Sequence, residues 1–153
     1  MWQFIQRLIS FNDQMLNKVK ATQIYDEALS FYSAKEYKKA LPLMTEASNL
    51  GHPQAMSLLG TMYLMGFGVK ENGKEAEAWL LKSVEAGFSE AASVLGMAYA
   101  TGKAGVKIDT EKATRLLTEA AEKGDQQSAR MLTMMQNGEG MFAKKPPRGS
   151  KLH

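Results

Sequence analysis

The sequence predicts an all-α fold, a solenoid of stacked helical hairpins, and three observations predict it. The first is an internal repeat. Ala55–Gly87 reads AMSLLGTMYLMGFGVKENGKEAEAWLLKSVEAG, and Ala91–Gly124 reads AASVLGMAYATGKAGVKIDTEKATRLLTEAAEKG. Leu59-Gly60 recurs as Leu95-Gly96, Tyr63 as Tyr99, and Gly87 answers Gly51, all at a spacing of 36 residues. A period of that size marks supersecondary units that bury their apolar faces only by stacking on one another. The second observation is apolar spacing of three to four residues, broken by glycines and by capping Asn and Asp residues. The third is composition: 153 residues, 44% hydrophobic and 23% charged, is one ordinary globular domain with a fair core.

Residues 1–20 place Trp2, Ile5, Leu8/Ile9, Met15/Leu16 and Val19 on one side of an amphipathic helix. Because solenoids need capped ends, this segment is expected to cover the open end of the stack. A membrane-surface helix would be richer in Lys and Arg than a polar face carrying Asp13 with Arg7 and Lys18.

Residues 21–51 form a first hairpin with its own spelling. Ala28, Phe31, Tyr37, Ala40, Met44 and Ala47 alternate small and large packing residues. Ser33 and Glu36 have capping-box spacing for its second helix, and Pro42 removes one donor inside that helix.

Residues 52–87 and 88–124 are the two clear repeats. Gly66 and Gly102 stand where a helix C-terminus wants a left-handed residue, and Asn72 and Asp109 where side-chain oxygens cap the next helix. Asn72–Glu75 has capping-box spacing, and Val69 is expected to plug the core. Ala76, Trp79 and Leu80 answer to Ala113, Leu116 and Leu117, and the second loop carries one extra residue around Ala104. Residues 125–142 begin a third copy, aligning Met131–Met141 on Leu59–Val69, and stop halfway. Residues 143–153, with Pro146-Pro147 and four basic residues, are expected to be a disordered basic tail.

Several chemistries are excluded or weak. The chain has no cysteine, so disulfides, thiolate zinc sites and thiol catalysis are out. His52 and His153 are too few for a metal cluster; His52-Pro53 reads as a turn, with no nucleophile or orienting partner at catalytic spacing. Gly68–Glu75 nearly spells a phosphate-binding loop, but its last position is Glu75 instead of Ser or Thr, and a helix precedes it instead of a strand. Glu71, Glu75, Glu77, Glu85, Glu119 and Glu122 alternate with Lys as solvated faces. No cofactor is expected. The net charge of +3 belongs to the tail: residues 1–143 hold 15 Lys+Arg against 16 Asp+Glu, so no basic face for nucleic acid is expected. No run is long enough to span a membrane, and the N-terminus lacks the apolar core and cleavage site of a secretory signal. That favours the cytoplasm, or the periplasm if a signal has been removed. Of the 11 methionines, Met44, Met131 and Met134/Met135 sit at packing positions, while Met56, Met62, Met65 and Met97 cluster on the short helices.

The pattern A-x-x-x-L-G-x-x-Y-x-x-G-x-G-V-x-x-N-x-x-x-A-x-x-W from Ala55 to Trp79 resembles the Sel1-like repeat, a relative of the tetratricopeptide repeat. Asp109, Lys112 and Ala113 match it in the second copy, which departs from it at Leu116 and at Ala104. The resemblance implies a right-handed α/α superhelix that binds other proteins, as adaptors in signalling or host contact, or as bacterial immunity proteins against secreted toxins. Small size and the lack of a catalytic constellation favour a non-enzymatic immunity protein that sequesters one toxin, with a general adaptor or regulatory subunit as the alternative.

In such a stack the first helix of each hairpin lines the concave side. Aligned on Ala28, Gly60 and Gly96, the groove positions are Tyr25, Leu29 and Tyr32; Ser57, Thr61 and Leu64; and Ser93, Met97 and Ala100. The aromatic end at Tyr25, Leu29 and Tyr32 is the expected hot spot, unless those tyrosines pack beneath the N-terminal helix. The unpaired half-repeat at Met131–Met141 offers a surface through which a homodimer could form.

Overall fold

A computed structural model describes residues 1–138. The described residues form seven α-helices: α1 Trp2–Ser33, α2 Tyr37–Asn49, α3 Pro53–Met65, α4 Gly73–Glu85, α5 Glu90–Thr101, α6 Thr110–Glu122 and α7 Gln126–Asn137, with a short 3-10 turn at Lys103–Gly105. No strand occurs among the described residues. Helices pair as α1/α2, α3/α4 and α5/α6, and successive hairpins stack through α2/α3, α4/α5 and α6/α7. Contacts of α3 with α5 and of α5 with α7 run along the row of first helices.

Each clear repeat is closed by a residue with no side chain. A Cβ at Gly60 would sit 2.7 Å from Leu80 Cγ, and one at Gly96 would sit 2.8 Å from Leu117 Cγ. The paired helices therefore cross at closest approach where the repeat spells Leu-Gly. Around these crossings lie two core clusters. Ala28, Ala40, Met44, Leu59 and Met62 centre the first, and Leu80, Leu95, Tyr99, Leu116 and Leu117 the second.

The turns are also periodic. α3 and α5 end at Gly66 and Gly102, both left-handed at φ +70°, as the sequence predicts. In the following loops the Asn72 N–H donates to Tyr63 O and the Asp109 N–H to Tyr99 O, each at 3.0 Å. Asn72 Oδ1 accepts from the N–H of Lys74 and Glu75, and Asp109 Oδ1 from Lys112. Since the Asn72 N–H is taken by Tyr63, Asn72–Glu75 caps in one direction only and is not a reciprocal box.

α1, α2, α4 and α6 end in another shared turn, with a backbone bond back five residues and one back three. His52 N–H to Ala47 O with Gly51 N–H to Ser48 O is one example. Gly51, Gly87 and Gly124 take its left-handed residue, and in the first hairpin Lys35 does, at φ +61°. This turn also removes the expected Ser33/Glu36 capping box. Ser33 is the last residue of α1, and Glu36 precedes α2 without a side-chain cap. The Glu36 N–H is spent on Phe31 O, and its carboxylate pairs with Lys39.

Three further expectations are corrected. No boundary falls between residues 20 and 21: α1 runs unbroken from Trp2, because Lys20-Ala21-Thr22-Gln23 contains no glycine or proline to end it and the Thr22 hydroxyl turns back to Lys18 O at 3.0 Å. Residues 1–20 do not cover the end of the stack either, for every one of them is exposed, Trp2 by 71% and Phe11 by 63%. Val69 is half-buried outside both core clusters, and the neighbouring Phe67 packs against the first. Residues 139–142 of the half-repeat, including Met141, and the basic tail at 143–153 lie outside the described residues.

Candidate functional site

The groove positions divide sharply once their burial is known. Ser57 and Ser93 are buried, each 7% exposed, Ala100 is buried, and Leu64 is 2% exposed inside the second core cluster. Leu64 therefore faces the next hairpin instead of a groove. Thr61 is half-buried, and its hydroxyl returns to Ser57 O at 3.0 Å. Met97 is half-buried against the second cluster. Tyr25, Leu29 and Tyr32 are all half-exposed.

Tyr25 and Tyr32 do not extend freely. The Tyr25 ring stacks on His52 with centroids 4.3 Å apart. Tyr32 stands edge-on to Tyr37 at 5.3 Å and to Phe67 at 6.2 Å, and Tyr37 stacks on Phe67 at 4.5 Å. Partial burial raises the hydroxyl pKa of both Tyr25 and Tyr32. Both belong to the packing around the first cluster, whereas Leu29 lies outside it. The surface left over is an uncharged row, Tyr25, Leu29, Tyr32, Thr61 and Met97, with aromatic faces at one end. Beside its aromatic end lies an open depression of about 420 Å3, lined by Lys35, Glu36, Tyr37, Lys38, Lys39 and Gly68.

His52 takes a role that its turn position alone did not reveal. It is the N-cap of α3, its Nδ1 accepting the Ala55 N–H at 3.2 Å, and burial lowers its pKa. Pro53 at the first helical position was the available signal. Phe67 was legible as a difference between copies, since Lys103 occupies the equivalent place.

Polar links join successive repeats, among them the Lys103 ammonium donating to Glu71 at 3.0 Å. Asp125 caps α7 by accepting the Ser128 N–H at 2.8 Å, the Ser93 hydroxyl donates to the same oxygen at 2.8 Å, and the Ser128 hydroxyl donates to Ser93 Oγ at 2.9 Å. Hydrogen bonds from Ser128, then Ser93, hold the Asp125 carboxyl below its usual range against an opposing contribution from burial. The Tyr99 hydroxyl donates to Glu77, and burial followed by that bond pushes the phenol pKa up. Ser93 is thereby a structural residue. Among the described residues no group of three or more His, Cys, Asp or Glu could hold a metal ion, and no helix is long and apolar enough to cross a membrane.

Comparison with known proteins agrees with this geometry. Residues 53–88 and 89–125 each match the Sel1 repeat, one residue later than the limits read from the sequence. The chain is 28% identical to a Sel1 repeat protein from Oxalobacter formigenes, with a TM-score of 0.67 over 74% of this chain and 47% of that one. Two more distant structures share the fold. One is a protective antigen of uropathogenic Escherichia coli displaying an SLR fold (24% identity, TM-score 0.71, 82% of this chain and 28% of that one). The other is cysteine rich protein B of Helicobacter pylori (21% identity, TM-score 0.61, 80% and 93%). An uncharacterized protein of Neisseria meningitidis serogroup B is 38% identical over 61 residues, which are 37% of this chain and 13% of that protein. The chain thus spans only a small part of that curated relative and under half of the first two solved structures.

Proposed function

Because the chain carries two Sel1 repeats within one stack of helical hairpins, we propose that it holds another protein and catalyses nothing. Sel1 repeats are generally protein–protein interaction modules. The observation that carries the reading is the uncharged row from Tyr25 through Leu29 and Tyr32 to Thr61 and Met97, left half-exposed by a core that consumes its neighbours. Aromatic rings held rigid by stacking suit this work, since an ordered side chain loses little entropy when a partner arrives.

The sharper form of the proposal is an immunity protein that sequesters one secreted toxin. A general adaptor or regulatory subunit is the broader form. Affinity capture with tagged chain separates them: one stoichiometric effector supports immunity, and a spread of housekeeping proteins supports an adaptor. The binding row itself is tested on the purified partner with Leu29→Lys. Leu29 lies outside the first core cluster, so the variant is expected to keep its melting temperature and to bind at least about tenfold more weakly, a change of about 1.4 kcal/mol. Unchanged affinity would remove the row from the function, and turnover of a substrate by the purified chain would end the non-enzymatic reading.

A further inference from the structure

The first half of α1 carries more exposed apolar surface than an isolated protein of this kind tolerates. At roughly 100° of rotation per residue, Trp2, Phe4, Ile5, Leu8, Ile9, Phe11, Met15, Leu16 and Val19 all fall on one half of the helix circumference. Each is between 41% and 71% exposed. Together they present on the order of 1,000 Å2, beyond the roughly 300–600 Å2 of the largest patch on an ordinary monomer.

Among the described residues nothing covers this face. In the second half of α1, the residues packed on the first cluster are Ile24, Tyr25, Ala28, Phe31 and Tyr32. On the same helical wheel their face lies on roughly the opposite side from the apolar face of residues 2–19.

We propose that residues 2–20 of α1 pair in parallel with the same segment of a second copy, making the protein a homodimer. Trp2, Ile5, Ile9, Asn12, Leu16 and Val19 alternate spacings of three and four, the seam of a two-helix coil. Covering most of this face on two copies removes area in the 1,200–2,000 Å2 range of stable interfaces. Asn12 selects the occupant and the direction. It is the one polar residue inside the stripe. A lipid surface would leave its amide without a partner, and the remaining polar face is mostly Gln3, Gln6, Ser10, Gln14 and Asn17, with Arg7 and Lys18 offset by Asp13, fewer cations than such surfaces attract. In antiparallel register Asn12 would face Ile9. In parallel register it meets its mate, so the two buried amides can pair with each other instead of each facing an isoleucine. The bodies then sit on the two outer flanks, where the opposed faces of α1 place them.

The test is sedimentation equilibrium of the full chain over a concentration series, with Ile9→Glu and Leu16→Glu beside it. Both sites are exposed in the single chain, so the hairpins should keep their melting behaviour. A dimer whose dissociation midpoint rises by at least about tenfold in either variant is expected. A monomer at every concentration overturns the proposal, as does a monomer that binds phosphatidylglycerol-containing vesicles. The chain has no native cysteine, so Ile5→Cys, which keeps Asn12, reports direction: rapid disulfide formation between copies supports the parallel register. Cross-linking confined to mixtures of Ile9→Cys with Lys103→Cys, a site on the body, would place the helix against the partner's hairpins and overturn it.

Discussion

Replacing Gly60 by alanine tests the packing rule on which the whole stack rests. The added Cβ would lie 2.7 Å from Leu80 Cγ and 3.2 Å from Ala76 O. Ordinary carbon contacts fall near 3.5–4.0 Å, so α3 and α4 must separate by about 1 Å or Leu80 must leave its rotamer. Leu80 is fully buried and has nowhere to turn. Overpacking of this kind costs about 1–3 kcal/mol, and the better helix propensity of alanine returns about 1 kcal/mol. The expected net loss is about 1 kcal/mol, a fall in melting temperature of about 2–4 °C. The decisive assay is a double-mutant cycle by chemical denaturation. Leu80→Ala alone should cost about 2–5 kcal/mol. In the Gly60→Ala background it should cost at least about 1 kcal/mol less, because the new methyl fills part of the vacated space. Simple additivity, or a Gly60→Ala variant more stable than the parent, would refute the claim that glycine is there for close approach.

Three other outcomes follow from the same structure. Lys35→Gly should stabilise by about 0.5–1 kcal/mol in thermal denaturation, since it removes a side chain from a left-handed residue whose counterparts in the other turns are glycine. Because His52 has a lower pKa folded than unfolded, its contribution is full above about pH 6.5 and is lost as pH falls through the folded value. Denaturation at pH 5 and pH 7.5 should therefore differ, and His52→Asn, which keeps a capping acceptor, should narrow the difference. Asp125→Ala should cost about 1–2 kcal/mol by removing the cap of α7 and the acceptor for Ser93. Since the Asp125 carboxyl is held low in the folded chain, that stability is present above the ordinary carboxylate range and disappears in acid, which a pH series on both proteins checks.

The parts legible in the sequence are those the backbone demands locally. Gly66, Gly102, Asn72 and Asp109 are required by a single turn, so their meaning is complete within a few residues. The same holds for the Leu-Gly crossings, which the repeat shows twice. What escaped depends on neighbours distant in sequence. Leu64 lies on a groove-facing position of its own helix, yet the next hairpin closes over it. Ser93 reads as a free hydroxyl until α7 brings Asp125 within 2.8 Å. In α1 the apolar period continues correctly, but its apolar face shifts to the other side of the helix near residue 20, so a segment expected to cap the stack turns away from it. Tyr25 and Tyr32 fall between the two cases: half-exposed as a binding residue would be, and stacked as a packing residue would be.

The two loops that leave Tyr63 and Tyr99 differ in length, yet both begin at a left-handed glycine and end on the same backbone bond to the tyrosine carbonyl. The residue inserted around Ala104 is absorbed between these anchors, and α6 starts in the same register as α4. Each loop is therefore a port with fixed posts. A foreign peptide spliced at Gly105, which has open space beside it, could change what that edge of the molecule displays while Val106 keeps its place in the second cluster.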